Sequence, residues 1–438
     1  MAKVLLKKPG FWAIPQASEN RSILGLTLFA PPLPPPPKSG GRLFSPQIWG
    51  ARGAIAVDRQ TTFAEMNRLY YGDNLDVLRN NIATETVDLI YLDPPFNSST
   101  DYKLIVGGRQ QANVSHTQIT AFEDTWHWND ESNRSLNELF QINGELAEVI
   151  DLLVCRLGHN DLSAYLIMMA VRLVEMHRVL KPTGSLYLHC DPTASHYLKI
   201  IIDLIFGLTN FRNEITWKRT SAHNDPKKFG ANTDIILYYV KSDRYCWNQV
   251  YVANDEKYKS RFRNLDPDGR RWTDDNLTAK GLSGGGYTYQ YKGITSFWRC
   301  PIQTMERLDA EGRLHFTKAG GIRLKRYLDE TVGTPLQALW DDIGLLNSQA
   351  KERLGYPTQK PVALLERIIQ VSSNTGDLVL DPFCGGGTAL HAAEKLNRQW
   401  IGIDLTHLAI GLIEGRLKSA FPGIEFNVIS RPVASLEE

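Results

Sequence analysis

The sequence predicts an α/β chain built on a parallel sheet, with a second module inserted into it. Three observations carry this. Residues 68–92 read strand, helix, strand, at a spacing that makes a parallel pair. The rhythm returns after residue 361, where the glycine turn Gly385-Gly386-Gly387 joins a strand to a helix. Between the two, residues 241–340 break the rhythm and carry a different charge.

The chain has 438 residues, 42% hydrophobic and 22% charged, enough for two domains or one large domain with an insertion. Residues 1–66 read as a tail: Pro31 to Pro37 is proline-rich and Ser39-Gly40-Gly41 follows, a spacer rather than a core. Lys3, Lys7 and Lys8 precede a short apolar run, but Pro31 onward is wrong for a cleavage region. No apolar run reaches the length of a membrane span. The five cysteines are scattered and never spaced C-x-x-C, which argues for a reducing compartment and against a disulfide framework or a zinc site. A cytoplasmic, nucleoid-associated protein is expected.

Order should begin at Asn67. Arg68 to Tyr71 is a strand, Gly72-Asp73 a turn, Asn74 to Asn81 a helix, and the apolar run Val87 to Leu92 a buried strand. That strand runs into Asp93-Pro94-Pro95-Phe96. The prolines fix φ and remove two donors, leaving free carbonyls, an acceptor-only carboxylate and a flat ring. The set suits a planar ring with an exocyclic amine, although Asp-Pro is also a common turn starter. Residues 97–133 read as a long polar loop, a lid or substrate contact, with Trp126 and Trp128 as packing anchors. Helical periodicity follows from Leu136 and from Leu162 to Leu180. Ser185 to Cys190 is a strand, His196 to Phe206 a helix, and Phe211 to Lys218 and Asp234 to Val240 two strands that can pair antiparallel.

The net charge of +1 conceals an asymmetry: residues 218–330 hold 21 basic against 14 acidic residues, +7, which leaves −6 for the remainder. With its aromatics, from Tyr245 to Trp298, the segment 241–340 reads as a recognition module for a polyanion. Its glycines, Gly281 to Gly286, are not a phosphate loop, since no Lys-Ser or Lys-Thr follows. Beyond it come the helix Pro361 to Ser372, the strand Asp377 to Leu380, the turn Asp381-Pro382-Phe383-Cys384-Gly385-Gly386-Gly387-Thr388, the helix Ala389 to Leu396, and the strand Gln399 to Ile403 with Asp404 at its end. Glycine lets a ligand reach the backbone at a helix N-terminus, and a strand-end acid can take both hydroxyls of a ribose. The spacing Gly385, Gly387, Leu390 fails the nicotinamide fingerprint and disfavours a dinucleotide oxidoreductase. S-adenosylmethionine fits better: it has a ribose and no phosphate, and Asp381 can hold its ammonium.

Asp93-Pro94-Pro95-Phe96, a variable module, Thr358-Gln359-Lys360-Pro361 and then the 381–388 loop together resemble the amino-DNA methyltransferases of the β motif order, over residues 67–420. The resemblance implies an order-permuted Rossmann-like, S-adenosylmethionine-dependent methyltransferase sheet with an inserted target-recognition module. It divides the chain into a tail (1–66), a catalytic part (67–240), the module (241–340), a cofactor part (341–425) and a C-terminal tail (426–438). It implies Asp93, Pro94, Pro95 and Phe96 as the catalytic set. Asp381, Phe383, Gly385, Gly387 and Asp404 would hold S-adenosyl-L-methionine. Thr358, Gln359 and Lys360 would pack at its methionine end, with Lys360 toward the carboxylate, and Asp73 would lie near its adenine. The strand beside that of Asp404 is either Arg68 to Tyr71 or Glu425 to Ile429.

The implied reaction is methylation of adenine N6 in flipped-out, double-stranded DNA, without a metal. Cytosine N4, an RNA or a protein amide, and a catalytically silent DNA-binding protein are the alternatives. A homodimer and a cognate restriction endonuclease rest on the resemblance alone.

Overall fold

The computed structural model describes residues 67–95, 126–222, 227–279, 286–347, 349–356 and 358–430, together with the backbone of 102–106 and 117–122. The N-terminal tail, Phe96, most of Gly281 to Gly286 and residues 431–438 lie outside the described residues.

Nine strands form the central sheet: β1 (Asn67–Tyr71), β2 (Val87–Leu92), β3 (Leu180–Cys190), β4 (Phe211–Lys218), β5 (Thr233–Val240), β6 (Leu339–Trp340), β7 (Leu378–Asp381), β8 (Gln399–Asp404) and β9 (Phe426–Ser430). Their spatial order is β6-β4-β5-β3-β2-β7-β8-β1-β9. β5 alone runs against its neighbours, pairing antiparallel with β3 and β4, and every other pairing is parallel.

Alternation along the strands divides the core into two layers. Ile90, Leu92, Leu186, Leu188, Leu237 and Tyr239 face one layer, which the helices Asn74–Asn81, Gly144–Leu157, Asp161–Val179 and Ser195–Phe206 cover. Leu89, Tyr91, Tyr187, Ile236 and Tyr238 face the other, under the helices Val362–Ser372, Thr388–Lys395 and His407–Ala420. The helix Asp161–Val179 is buried nearly all round, which explains its continuous apolar run.

Three expectations change, and one alternative is decided. The stretch 97–133 contains an antiparallel pair, Tyr102–Val106 with Thr117–Phe122, and a helix from Asp130. The inserted module is narrower than 241–340. Asn248 already bonds to the main domain at Val371, and Leu339–Trp340 extends the central sheet. Between these points, Leu277, Trp298, Met305, Leu308, Leu314 and Ile322 make a small separate core. β1 pairs with β8, and residues 426–430 are a strand rather than the start of a tail, lying outside β1.

β9 covers the edge of β1, and its Phe426 ring lies 5.4 Å from that of the buried Trp400. Ending the chain at Glu425 should therefore lower the melting temperature by about 3–6 °C, the equivalent of roughly 1–2 kcal/mol. Thermal unfolding followed by circular dichroism checks this.

Candidate active site

Parallel strands put their carboxyl ends on one side of a sheet, and a ligand crevice forms there. β2, β7, β8 and β1 are consecutive neighbours. Asp93 follows β2, Asp381 and Asp404 end β7 and β8, and Asp73 follows β1. All four line a cavity of about 510 Å³ with Pro94, Pro95, Tyr91, Tyr356, Thr358, Gln359, Lys360, Phe383 and Gly385. The structure thus brings the predicted residues together, apart from Phe96, which is not among the described residues, and Gly387, which works from behind the cavity wall.

The glycine loop is held from three sides. Gly385 N–H donates to Asp404 Oδ2 (2.9 Å), and Asp404 Oδ1 accepts from the Thr406 amide (2.9 Å) and hydroxyl (2.8 Å). Asp404 therefore ties the loop to the next helix; Oδ1 already accepts two bonds, and Oδ2 keeps one lone pair. Buried Arg416 donates to the Gly386 carbonyl (2.7 Å) and Thr388 Oγ1 (3.1 Å) from the far side. Gly387 has φ +71°, and a Cβ there would stand 2.8 Å from Ile413 Cγ1, so no other residue fits without displacement.

Asp381 is buried, and burial pushes its carboxyl well above the usual range. The Phe383 amide opposes the rise, and the nearby Asp93 and Asp404 reinforce it. Burial likewise raises Asp404 against the hydrogen bonds from Thr406. The lining residues carry four carboxylates (Asp73, Asp93, Asp381, Asp404) against two cations (Arg172, Lys360). Such a cavity favours a cationic ligand.

Asp73 is partly spent on structure. It caps the helix Asn74–Asn81 through the Leu75 amide (2.8 Å) and pairs with Arg172 (2.7 Å). Arg172 also bonds Asn74 (2.5 Å), whose amide reaches the Pro382 carbonyl (2.8 Å). Arg172 thus ties the β1 turn to the glycine-loop strand. Its signal in the sequence was the one charged residue between Leu162 and Val174.

Lys360 departs from expectation. Its ammonium sits on Asp93 Oδ2 inside the protein rather than standing ready for a cofactor carboxylate. Gln359 is turned away to hold its own loop, accepting from Leu354 N–H (2.8 Å) and donating to the Glu352 carbonyl (2.7 Å). Thr358, β-branched, stands at φ +61°, a strained conformation of the kind that collects at working sites. Asp93 Oδ1 accepts no hydrogen bond among the described residues. Behind it stand Tyr91, His189 and Asp234, which sequence reasoning passed over as strand residues.

The charge surplus of the module is largely engaged. Arg270 and Arg313 meet Glu330, Arg323 meets Asp274, Lys325 meets Asp266, and Arg326 meets Asp275. Among the described residues, Arg263, Arg271 and Arg299 donate to main-chain carbonyls and to no carboxylate. Several of the module's aromatics serve the core, with Trp272 and Trp298 buried.

A protein family described as DNA methylase, with N6 and N4 specificities, matches residues 87–414. The chain belongs to this family. The type II methyltransferase M.EcaI of Enterobacter cloacae is 35% identical over 248 residues, 55% of either chain. The StyLTI Mod subunit, from a type III restriction-modification enzyme of Salmonella typhimurium, is 31% identical over 355 residues, 76% of this chain and 50% of that one. The chain thus spans about half the length of these curated relatives. Among solved structures, the M1.HpyAVI–SAM complex covers 80% of this chain and 98% of its own, at 16% identity and a TM-score of 0.38.

Lys360 and Asp93 are both largely buried, so removing either leaves an uncompensated charge. Lys360→Met should cost about 3 kcal/mol in chemical denaturation, and the double variant with Asp93→Asn should recover part of it.

Proposed function

We propose that the protein transfers a methyl group from S-adenosylmethionine to the exocyclic amino nitrogen of a base in DNA, with adenine N6 as the favoured atom. The observation that supports this reading best is Asp93. Its carboxylate follows a strand beside the glycine-loop strand, with one oxygen fixed by Lys360 and the other without a hydrogen-bond donor among the described residues. An acceptor-only group that lacks a donor suits an amino group, which has two hydrogens to give.

The donor set fits the cofactor. Asp381 suits an ammonium, Asp404 Oδ2 keeps a lone pair for a ribose hydroxyl, and the net negative lining suits a sulfonium. When bound, S-adenosylmethionine supplies an electrophilic methyl group. The chain's own residues do the rest. Asp93 Oδ1 accepts from the target amine and the Pro94 carbonyl offers a second acceptor. These bonds localise the nitrogen lone pair and aim it. Lys360 holds the carboxylate in place. The family resemblance assigns Phe96, outside the described residues, the role of stacking on the flipped base. Positioning and preorganised charge supply most of the rate.

The module, through cations such as Arg263, Arg271 and Arg299, would meet the DNA backbone. Double-stranded DNA as substrate, a homodimer, a cognate restriction endonuclease and a cytoplasmic, nucleoid-associated setting belong to the same proposal. No helix among the described residues is long and apolar enough to cross a membrane.

Asp93→Ala should abolish methyl transfer to DNA while calorimetry still detects cofactor binding. Nucleoside analysis of methylated DNA identifies the atom, and N4-methylcytosine would replace the adenine assignment. A second outcome concerns pH. Burial raises Asp381, and a cationic ligand needs it ionised, so cofactor affinity should weaken as pH falls, and at a higher pH than an ordinary carboxylate would set. Asp381→Asn should bind more weakly throughout and flatten that dependence in calorimetry.

A further inference from the structure

Behind Asp93 lies a buried polar chain that the methyl-transfer step does not use. Tyr91 precedes Asp93 by two residues, and His189 comes from the adjoining strand β3. The Tyr91 hydroxyl is 3.0 Å from His189 Nδ1, and His189 Nε2 is 3.1 Å from Asp234 Oδ2. Arg219 Nε stands 3.1 Å from Asp234 Oδ1. His189 is fully buried, and its Nδ1 lies 4.0 Å from Asp93 Oδ1. Trp217 packs edge-on against the imidazole, with ring centres 5.6 Å apart. Polar groups are costly to bury, and an all-apolar strand pair would have filled this space more cheaply.

Burial works to raise Asp234, but the hydrogen bond from His189, charge on that imidazole, and the charges of Arg219 and Lys360 outweigh it, and the carboxyl lies below its usual range. An ionised Asp234 takes a hydrogen from Nε2. That fixes the tautomer, leaving the Nδ1 lone pair on the side of Tyr91 and Asp93. Burial, reinforced by Asp93, raises the Tyr91 phenol, so its hydroxyl stays protonated and donates to Nδ1.

We propose that His189, oriented by Asp234, accepts the proton that the target amine gives up through Asp93. This rests on the reading of the site given above. An amino nitrogen that gains a methyl group must lose one hydrogen to become a neutral secondary amine. That proton passes to Asp93 Oδ1 and makes it a carboxylic acid. The acid then hands the proton to Nδ1, displacing the Tyr91 hydrogen bond. Asp93 is a carboxylate again, and the imidazolium charge is balanced by Asp234. The 4.0 Å gap is about 1 Å longer than a hydrogen bond, and rotation of the protonated Asp93 side chain closes it. Once the methylated base has left, the proton returns by the same route to water in the cavity. His189 and Asp234 are therefore positioning residues that act through Asp93.

Two variants of the full chain test this. Asp234→Asn keeps the shape but offers an amide hydrogen to Nε2, which moves the imidazole hydrogen to Nδ1 and closes the relay. His189→Gln removes the acceptor. Histidine side-chain ¹⁵N NMR of the unliganded protein should show Nε2–H in the wild type and Nδ1–H in Asp234→Asn. In single turnover with S-adenosylmethionine and DNA, both variants should be slower on the order of a hundredfold. They should also acquire a solvent deuterium isotope effect that the wild type lacks, with cofactor affinity in calorimetry unchanged. A purely structural role would slow the variants without the isotope effect. That result, wild-type rates in both variants, or Nδ1–H already present in the wild type would overturn the relay. A wild-type protein that methylates no DNA would overturn the reading of the site on which the relay rests.

Discussion

Asp93, Asp381 and Asp404 share one cavity at the ends of neighbouring strands, and much of the surrounding structure manages that concentration of negative charge. Buried carboxylates are costly unless paired or hydrogen-bonded. Lys360 answers Asp93, the Gly385 and Thr406 amides answer Asp404, and the Phe383 amide answers Asp381. Asp381 is the least compensated of the three, with its carboxyl pushed well up by burial. The elements that deliver these donors are therefore the ones whose geometry is most constrained: the glycine turn, the Thr358–Pro361 entry to a helix, and the carboxyl end of β2.

The order of the chain looks unfavourable for such a site, since Asp93 and Asp381 are far apart in sequence. The sheet resolves it by placing β7 directly between β2 and β8. The inserted module follows β5 and returns through β6 at the edge of the sheet, so the strands that carry the acids are never interrupted. An insertion at an edge costs little more than loop closure, which rises slowly with length. Variation in the module can thus proceed without disturbing the cavity.

What could be read from the sequence followed from local chemistry. Strands next to glycine and proline signals were legible: β2 before Asp93, β7 before the glycine turn, and β8 ending at Asp404. So was the gathering of these residues, because parallel strands present their carboxyl ends together. Partnerships set by tertiary packing were not. Nothing in Thr358-Gln359-Lys360 tells that Lys360 reaches Asp93 while Gln359 turns back on its own loop. His189 and Asp234 read as ordinary strand residues, since only the pairing of β3 with β5 brings them to β2. β9 was weighed as the neighbour of β8, and pairing with β1 put it one place further out. The basic surplus of the module was countable, yet its use in ion pairs with Glu330, Asp274 and Asp266 depended on cross-strand register.

The same charge arrangement bears on turnover under the proposed reaction. A sulfonium donor enters with one more positive charge than the thioether it leaves behind. A cavity lined by four carboxylates and two cations attracts the first more than the second. Part of the binding energy is thus tied to the charge that the reaction removes, and exchange of spent for fresh donor becomes favourable without any moving part. The thinly compensated Asp381 is then a working feature of the fold rather than a defect. It answers the ammonium, which spent and fresh donor share, while the sulfonium charge is what the net negative lining distinguishes.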